Sequence, residues 1–223
     1  RRLRAGDAEG GRNSLNRATE FALALTLPAA VGLVVLALPL ISVLFGRGEF
    51  GADDVANTAL ALAIYGLGLP AFVLQKTLQP LYYAREDTRR PFRYAVVSMV
   101  VNVVLAVGLM PLIGFAAAAL ATTASGWFMF LQLWLGTRGM GPEARADARL
   151  RSRIWRIMLA SGVMGGLLWV FQIVLGPGLG VPGWRYAALG GLIGIGILGY
   201  FGTGALIGAF KMSDFRSALR RGN

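Results

Sequence analysis

Apolar residues along this chain gather into six long runs separated by short charged segments. Their approximate bounds are 21–45, 56–84, 94–112, 113–136, 157–176 and 186–210. A helix needs about 20 predominantly apolar residues to cross a hydrocarbon core, and each run reaches or nearly reaches that length. The pattern predicts an all-α polytopic membrane protein of about six transmembrane helices. The third and fourth runs meet at Met-Pro-Leu-Ile-Gly, residues 110–114. The polar backbone of that turn must lie at an interface or be covered by protein.

The positions of Lys and Arg test this count. The N-terminal segment carries Arg1, Arg2, Arg4, Arg12 and Arg17, and the next connection carries Arg47 alone. Arg85, Arg89, Arg90 and Arg93 follow the second run, and none lies between the third and fourth. The next connection holds Arg138, Arg145, Arg149, Arg151, Arg153 and Arg156; the one after it holds Arg185; the tail holds Lys211, Arg216, Arg220 and Arg221. Alternate segments therefore carry 19 basic residues against 2 on the other side. By the positive-inside rule both ends are cytoplasmic, and the alternation fails if any span is miscounted by one. Trp155 and Trp184 fall at run ends, where indoles favour the interface.

Composition agrees. The chain is 56% hydrophobic with a mean hydropathy of +0.60, against about 45–50% apolar in soluble domains. A net charge of +11 in a soluble protein would suggest nucleic acid. Here the charge sits beside apolar runs, where topology and anionic lipid account for it, so no nucleic-acid partner is expected. The absence of Cys and His removes disulfides, thiolate chemistry, the usual zinc ligands and the commonest general base. None of the 11 acidic residues lies deep inside an apolar run. The expectation is a protein that is not an enzyme and uses no metal or cofactor. A membrane-embedded polyprenyl-phosphate transferase would need metal-binding acids or a base near the surface. The close acidic pairs are Asp53–Asp54 and Glu86–Asp87, and helix capping and loop solvation explain both. The chain opens on Arg1 rather than Met. Its first 20 residues read as a loop or helix end joining something upstream, so a fragment of a longer protein is expected.

Lys76 is the one ionisable residue inside a run. Such residues face a cavity or a partner, or else snorkel. Arg85, at the basic end, is nine residues and about 13 Å of helix away. Gln75 and Gln79, four apart, share a face and with Lys76 suggest a polar stripe lining a wet pathway. Ser98 and Asn102 form a smaller pair, and Thr122, Thr123 and Ser125 another, both explicable as interhelical hydrogen bonding. Pro28, Pro39, Pro70 and Pro80 predict local kinks. In the Gly-rich last run, the spacings Gly190/Gly194 and Gly204/Gly208 predict close helix contact.

Three stretches carry a resemblance: TLPAAVGLVVLALPLISVLFGRGEF, YGLGLPAFVLQKTLQPLYYAREDTRRPF and VVSMVVNVVLAVGLMPLIGFAAAALATTASGW. With the terminal WRYAALGGL…GYFGTGALIGAFKMSDFRSALRR, they resemble the MurJ (MviN) lipid II flippases of the multidrug/oligosaccharidyl-lipid/polysaccharide exporter superfamily. The most specific matching positions are Phe45, Arg47, Gly48 and Phe50 in the first element and Tyr83, Arg85, Asp87, Thr88 and Pro91 in the second.

The resemblance implies a fourteen-helix transporter of two six-helix lobes plus a C-terminal pair, of which this chain is the last six helices. Residues 1–20 would be a cytoplasmic connection and 21–136 four helices of the second lobe. Residues 137–223 would hold a cytoplasmic loop, the final pair and the tail. It further implies translocation of lipid-linked peptidoglycan precursor across the bacterial cytoplasmic membrane by alternating access, with a groove at the final pair for the lipid tail. Partners would be membrane lipid, the precursor, the N-terminal remainder and cell-wall synthesis proteins. Most of the family's essential cavity arginines fall outside this chain. Lys76 matches a lysine of the corresponding helix and, with Gln75, Gln79 and Asn102, is the candidate substrate-binding set. The alternative is another exporter of the superfamily, carrying drugs or polysaccharide precursors.

Overall fold

The computed structural model describes residues 8–141, 144–181 and 183–209. Arg1, Arg2, Arg4 and the basic tail from Lys211 onward, counted above, lie outside the described residues. The described chain forms α1 (Ala8–Val35), α2 (Ala37–Phe45), α3 (Ala52–Tyr83), α4 (Arg89–Ile113), α5 (Ala116–Gly136), α6 (Ala148–Leu179) and α7 (Arg185–Leu206). Six of these are long and apolar enough to span a bilayer.

The first run is broken, and Pro39 is the cause. It has no N–H to give to Val35, and its ring crowds that carbonyl four residues back. Leu36 leaves helical geometry with φ −95° and ψ 10°, and bonding resumes with the Leu40 N–H donating to the Leu36 carbonyl at 2.8 Å. Pro28, Pro70 and Pro80 lie within the unbroken helices α1 and α3. At the other end, α1 begins well before the apolar run, so residues 8–20 take the helix-end form of the two expected. At 32 residues each, α3 and α6 are about 48 Å long and outreach the hydrocarbon core.

Acidic side chains set several helix starts. Asp54 accepts from the Gly51 N–H at 3.0 Å at the start of α3, and Asp147 accepts from the Leu150 N–H at 2.6 Å at the start of α6. The turn between α4 and α5 contains Gly114 at φ 58°, ψ −138°, a conformation that strains any residue with a Cβ.

The helices pack in the order α4, α5, α3, α1, α6, α7, each chiefly against the next, with α2 on α3. One core joins α3 to α5 near the basic end through Leu78, Leu81, Tyr82 and Leu133. Another joins α2 to α3 at the opposite end through Ala37, Ile41, Val55 and Ala59. The largest ties α1 and α2 to the final pair through Leu36, Ala160, Met164, Leu168, Leu192 and Tyr200. The Tyr200 hydroxyl also donates to the Ala24 carbonyl at 2.6 Å.

Outward faces are strongly apolar. On α4, Val104, Val107 and Leu112 are 64%, 67% and 77% exposed, a surface that needs lipid or neighbouring spans rather than water.

The glycine expectation needs correction. Gly190 and Gly194 face open space, whereas α6 meets α7 at Gly196 and Gly199. A Cβ there would lie 3.1 Å from Leu168 and 2.9 Å from Leu167. Four-residue spacing identifies a helix face but not which neighbour lies against it. Gly204 is buried, and Gly208 ends the helix at φ +67°.

Candidate functional site

Lys76 lies on the side of α3 that faces α1. With Ser14, Leu15, Ala18 and Pro80 it lines a cleft of about 370 Å³ near the basic end. Ser14 with Ala18, and Lys76 with Pro80, are four-residue pairs, so each helix contributes one continuous edge. Lys76 is exposed, is the single charged residue in that lining, and has no ion pair among the described residues.

The expected polar stripe divides. Gln75 is buried and its Nε2 donates to the Gly126 carbonyl of α5 at 2.6 Å. That approach depends on glycine, because a Cβ at residue 126 would sit 2.5 Å from the Phe72 ring. Gln79, one turn on, opens into a separate crevice beside Tyr83. Residue 76 is rotated about 100° from residue 75, which carries Lys76 away from both glutamines toward α1.

Asn102 is also engaged between helices. Its Nδ2 donates to Thr122 Oγ1 and Ser125 Oγ, both at 3.2 Å. Ser98 accepts from Gln132 Nε2 at 3.1 Å, and Thr123 Oγ1 donates to the Ile64 carbonyl at 2.8 Å. These bonds join α4 to α5 and α5 to α3, as expected of polar side chains that satisfy one another in lipid. The structure thus engages Gln75 and Asn102 between helices and leaves Lys76 and Gln79 on two separate clefts, Lys76 being the one that carries a charge.

The two motif segments are turns with distinct tasks. Between α2 and α3, Gly48 adopts φ +63°, reversing the chain so that Phe45 and Phe50 come within 6.5 Å, centroid to centroid. Arg47 is left exposed at the apex. Between α3 and α4, Glu86 takes φ 59°, and Asp87 accepts from the Arg90 N–H at 3.1 Å and pairs with its guanidinium at 3.2 Å. Arg85 donates to the Met140 carbonyl beyond α5. Tyr83 and Thr88 are exposed, while Pro91 is buried in the first turn of α4.

Sequence reading missed a charge cluster where α1 meets α6. Glu20, 7% exposed, pairs with Arg153, itself 8% exposed. Arg17 reaches the same carboxylate at 2.7 Å and Arg149 at 3.6 Å. Arg17 also reaches Asp147 at 3.5 Å. Beside them, the buried Asn16 donates to the Arg145 carbonyl at 3.3 Å. The available signal was spacing, Arg17/Glu20 on one helix and Arg149/Arg153 on another. Nothing in a single sequence says that the two helices touch. Arg156 adds a further tie by donating to the Gly208 carbonyl at 3.1 Å, past the end of α7.

Comparison with known proteins places this arrangement. The family profile described as "Lipid II flippase MurJ" matches residues 1–181. A probable lipid II flippase MurJ of Rhizobium meliloti (strain 1021) is 38% identical over 228 residues, covering 100% of this chain and 42% of the relative. One from Vibrio cholerae serotype O1 is 37% identical over 201 residues, covering 87% of this chain and 37% of the relative. A solved structure, lipid II flippase MurJ in an inward closed conformation, superposes with a TM-score of 0.74 at 25% identity. It covers 92% of this chain and 41% of that one. The chain therefore spans about two fifths of the length of its relatives. With six apolar spans, the loop motifs and this match, the chain is part of a multi-pass membrane protein and belongs to the lipid II flippase MurJ family.

Proposed function

We propose that the full-length protein moves lipid II from the inner to the outer leaflet of the bacterial cytoplasmic membrane by alternating access. This chain supplies the C-terminal six spans. The movement breaks and makes no covalent bond, so the protein acts as a carrier rather than an enzyme and needs no cofactor. The observation that carries this reading is family membership over residues 1–181, joined to the position of Lys76.

A pyrophosphate headgroup needs cations in a wet space. Lys76 offers an ammonium on the cleft between α1 and α3, where it would join basic groups from the rest of the protein. The final pair presents apolar outer faces, including Trp169 and Ile173 on α6 and Leu198 on α7, suited to a polyprenyl tail. In full-length protein, Lys76→Ala is expected to lower outward movement of labelled lipid II about tenfold or more, whereas Lys76→Arg retains most of it. Equal rates for wild type and Lys76→Ala would remove Lys76 from the headgroup's path.

In the proposed orientation the basic end is cytoplasmic. Single cysteines, placed in a chain segment that has none, offer a direct check. Cysteines at Arg89 and Arg151 are expected to resist a membrane-impermeant thiol reagent in whole cells, and one at Glu49 to react. Labelling of positions 89 and 151 on opposite sides would overturn the span count.

A further inference from the structure

Helices α3 and α4 both pack on α5 but scarcely on each other. Beside the short loop that joins them at the basic end they leave a crevice of about 540 Å³, distinct from the Lys76 cleft. Its mouth is formed by Tyr83, Thr88 and Arg89, and its inner wall by Gln79, Phe92 and Met129.

The two ends differ chemically. At the mouth, Arg89 is exposed and forms no ion pair among the described residues, unlike neighbouring Arg90, which pairs with Asp87. Thr88 and Tyr83, each with a hydroxyl, line the same crevice. The terminus of α4 adds little, since Asp87 takes the Arg90 N–H and Pro91 has none. Deeper in, Phe92 is 69% exposed and lies one turn below Arg89. Met129 lies seven residues, about 10 Å, inside the end of α5 at Gly136. A cation with two hydroxyls at interface level thus stands over an apolar slot that runs into the hydrocarbon.

We propose that this crevice is a binding site for an anionic glycerophospholipid, its phosphate on Arg89, Thr88 and Tyr83 and one acyl chain along Phe92 and Met129. Charge complementarity selects the occupant: an exposed guanidinium with no ion pair among the described residues attracts a phosphate, and a purely apolar occupant would leave it unanswered. The site adds to the carrier function proposed above and depends on that reading only for which leaflet supplies the lipid.

Two measurements on the full-length protein test it. Native mass spectrometry of protein extracted from membranes containing phosphatidylglycerol should show one retained lipid. Arg89→Gln should lower its occupancy about fivefold, the effect of one basic residue at an anionic surface. Arg151→Gln, at an exposed arginine of α6 outside the crevice, should not. In the second, a photoreactive benzoylphenylalanine replaces Phe92, with Arg89 left intact, and should yield a phospholipid adduct on irradiation in membranes. The crosslink reads occupancy whichever leaflet the basic end faces, so an error in orientation would not mimic failure here. Equal lipid retention by Arg89→Gln and Arg151→Gln would overturn the proposal. So would a Phe92 crosslink into the protein's own upstream spans, or one to a polyprenyl-linked precursor instead of a phospholipid.

Discussion

Glu20→Ala is expected to cost the full-length protein about 3–5 kcal/mol, the range for removing one partner of a buried ion pair. The carboxylate is the point on which Arg17, Arg149 and Arg153 converge. Its loss leaves three like charges crowded where α1 meets α6. Because the same helices hold the largest apolar core, the damage should be local at first: the final pair loosens from α1 at its basic end. Thermal denaturation in detergent should show a clear drop in transition temperature, and hydrogen exchange should rise first around residues 148–156. Glu20→Met with Arg153→Met should recover part of the loss, because it removes the two most buried charges together and leaves the half-exposed Arg17 and Arg149 to solvent and Asp147. A Glu20→Ala protein as stable as wild type would mean that the cluster is solvated in the membrane and holds nothing.

The second large effect concerns the seam between α3 and α5. Gly126→Ala should destabilise by about 1–3 kcal/mol, the usual penalty for overpacking, since its Cβ would lie 2.5 Å from the Phe72 ring. The displaced backbone would also lengthen the bond from Gln75 Nε2 to the Gly126 carbonyl, whose polar ends have no water to turn to inside the bilayer. Phe72→Ala introduced together with Gly126→Ala should restore part of the stability by making room. A neutral Gly126→Ala would mean that α5 and the Phe72 ring of α3 lie farther apart than this contact requires.

Much of this architecture was legible because a bilayer makes simple demands. Apolar length marks a span, and arginine placement marks a side. The two signals are independent and lead to the same six crossings. The turn at Gly114 was legible as well, in the Met-Pro-Leu-Ile-Gly junction between two apolar runs. Helix neighbours were not. The sequence places Gln75, Lys76 and Gln79 within four residues, yet rotation about α3 sends them to α5, to the α1 cleft and to the α4 crevice. Asn102 reads equally well as a substrate ligand or as a tie between helices until Thr122 and Ser125 are seen beside it. Glu20 was hidden for the same reason. It sits one position before an apolar run, and its meaning depends on arginines more than 120 residues away. Pro39 shows the converse: four prolines predicted kinks, and the break falls at Pro39 while Pro28, Pro70 and Pro80 lie in unbroken helices.

The most direct test of the carrier assignment is transbilayer movement of lipid II by the purified full-length protein in vesicles. Labelled lipid II would be placed in one leaflet and followed by its accessibility to a reagent confined to the other side. Movement well above that in protein-free vesicles, and strongly reduced by Lys76→Ala, is the predicted result. No movement by a folded, correctly oriented protein under any imposed ion gradient or membrane potential would contradict the account.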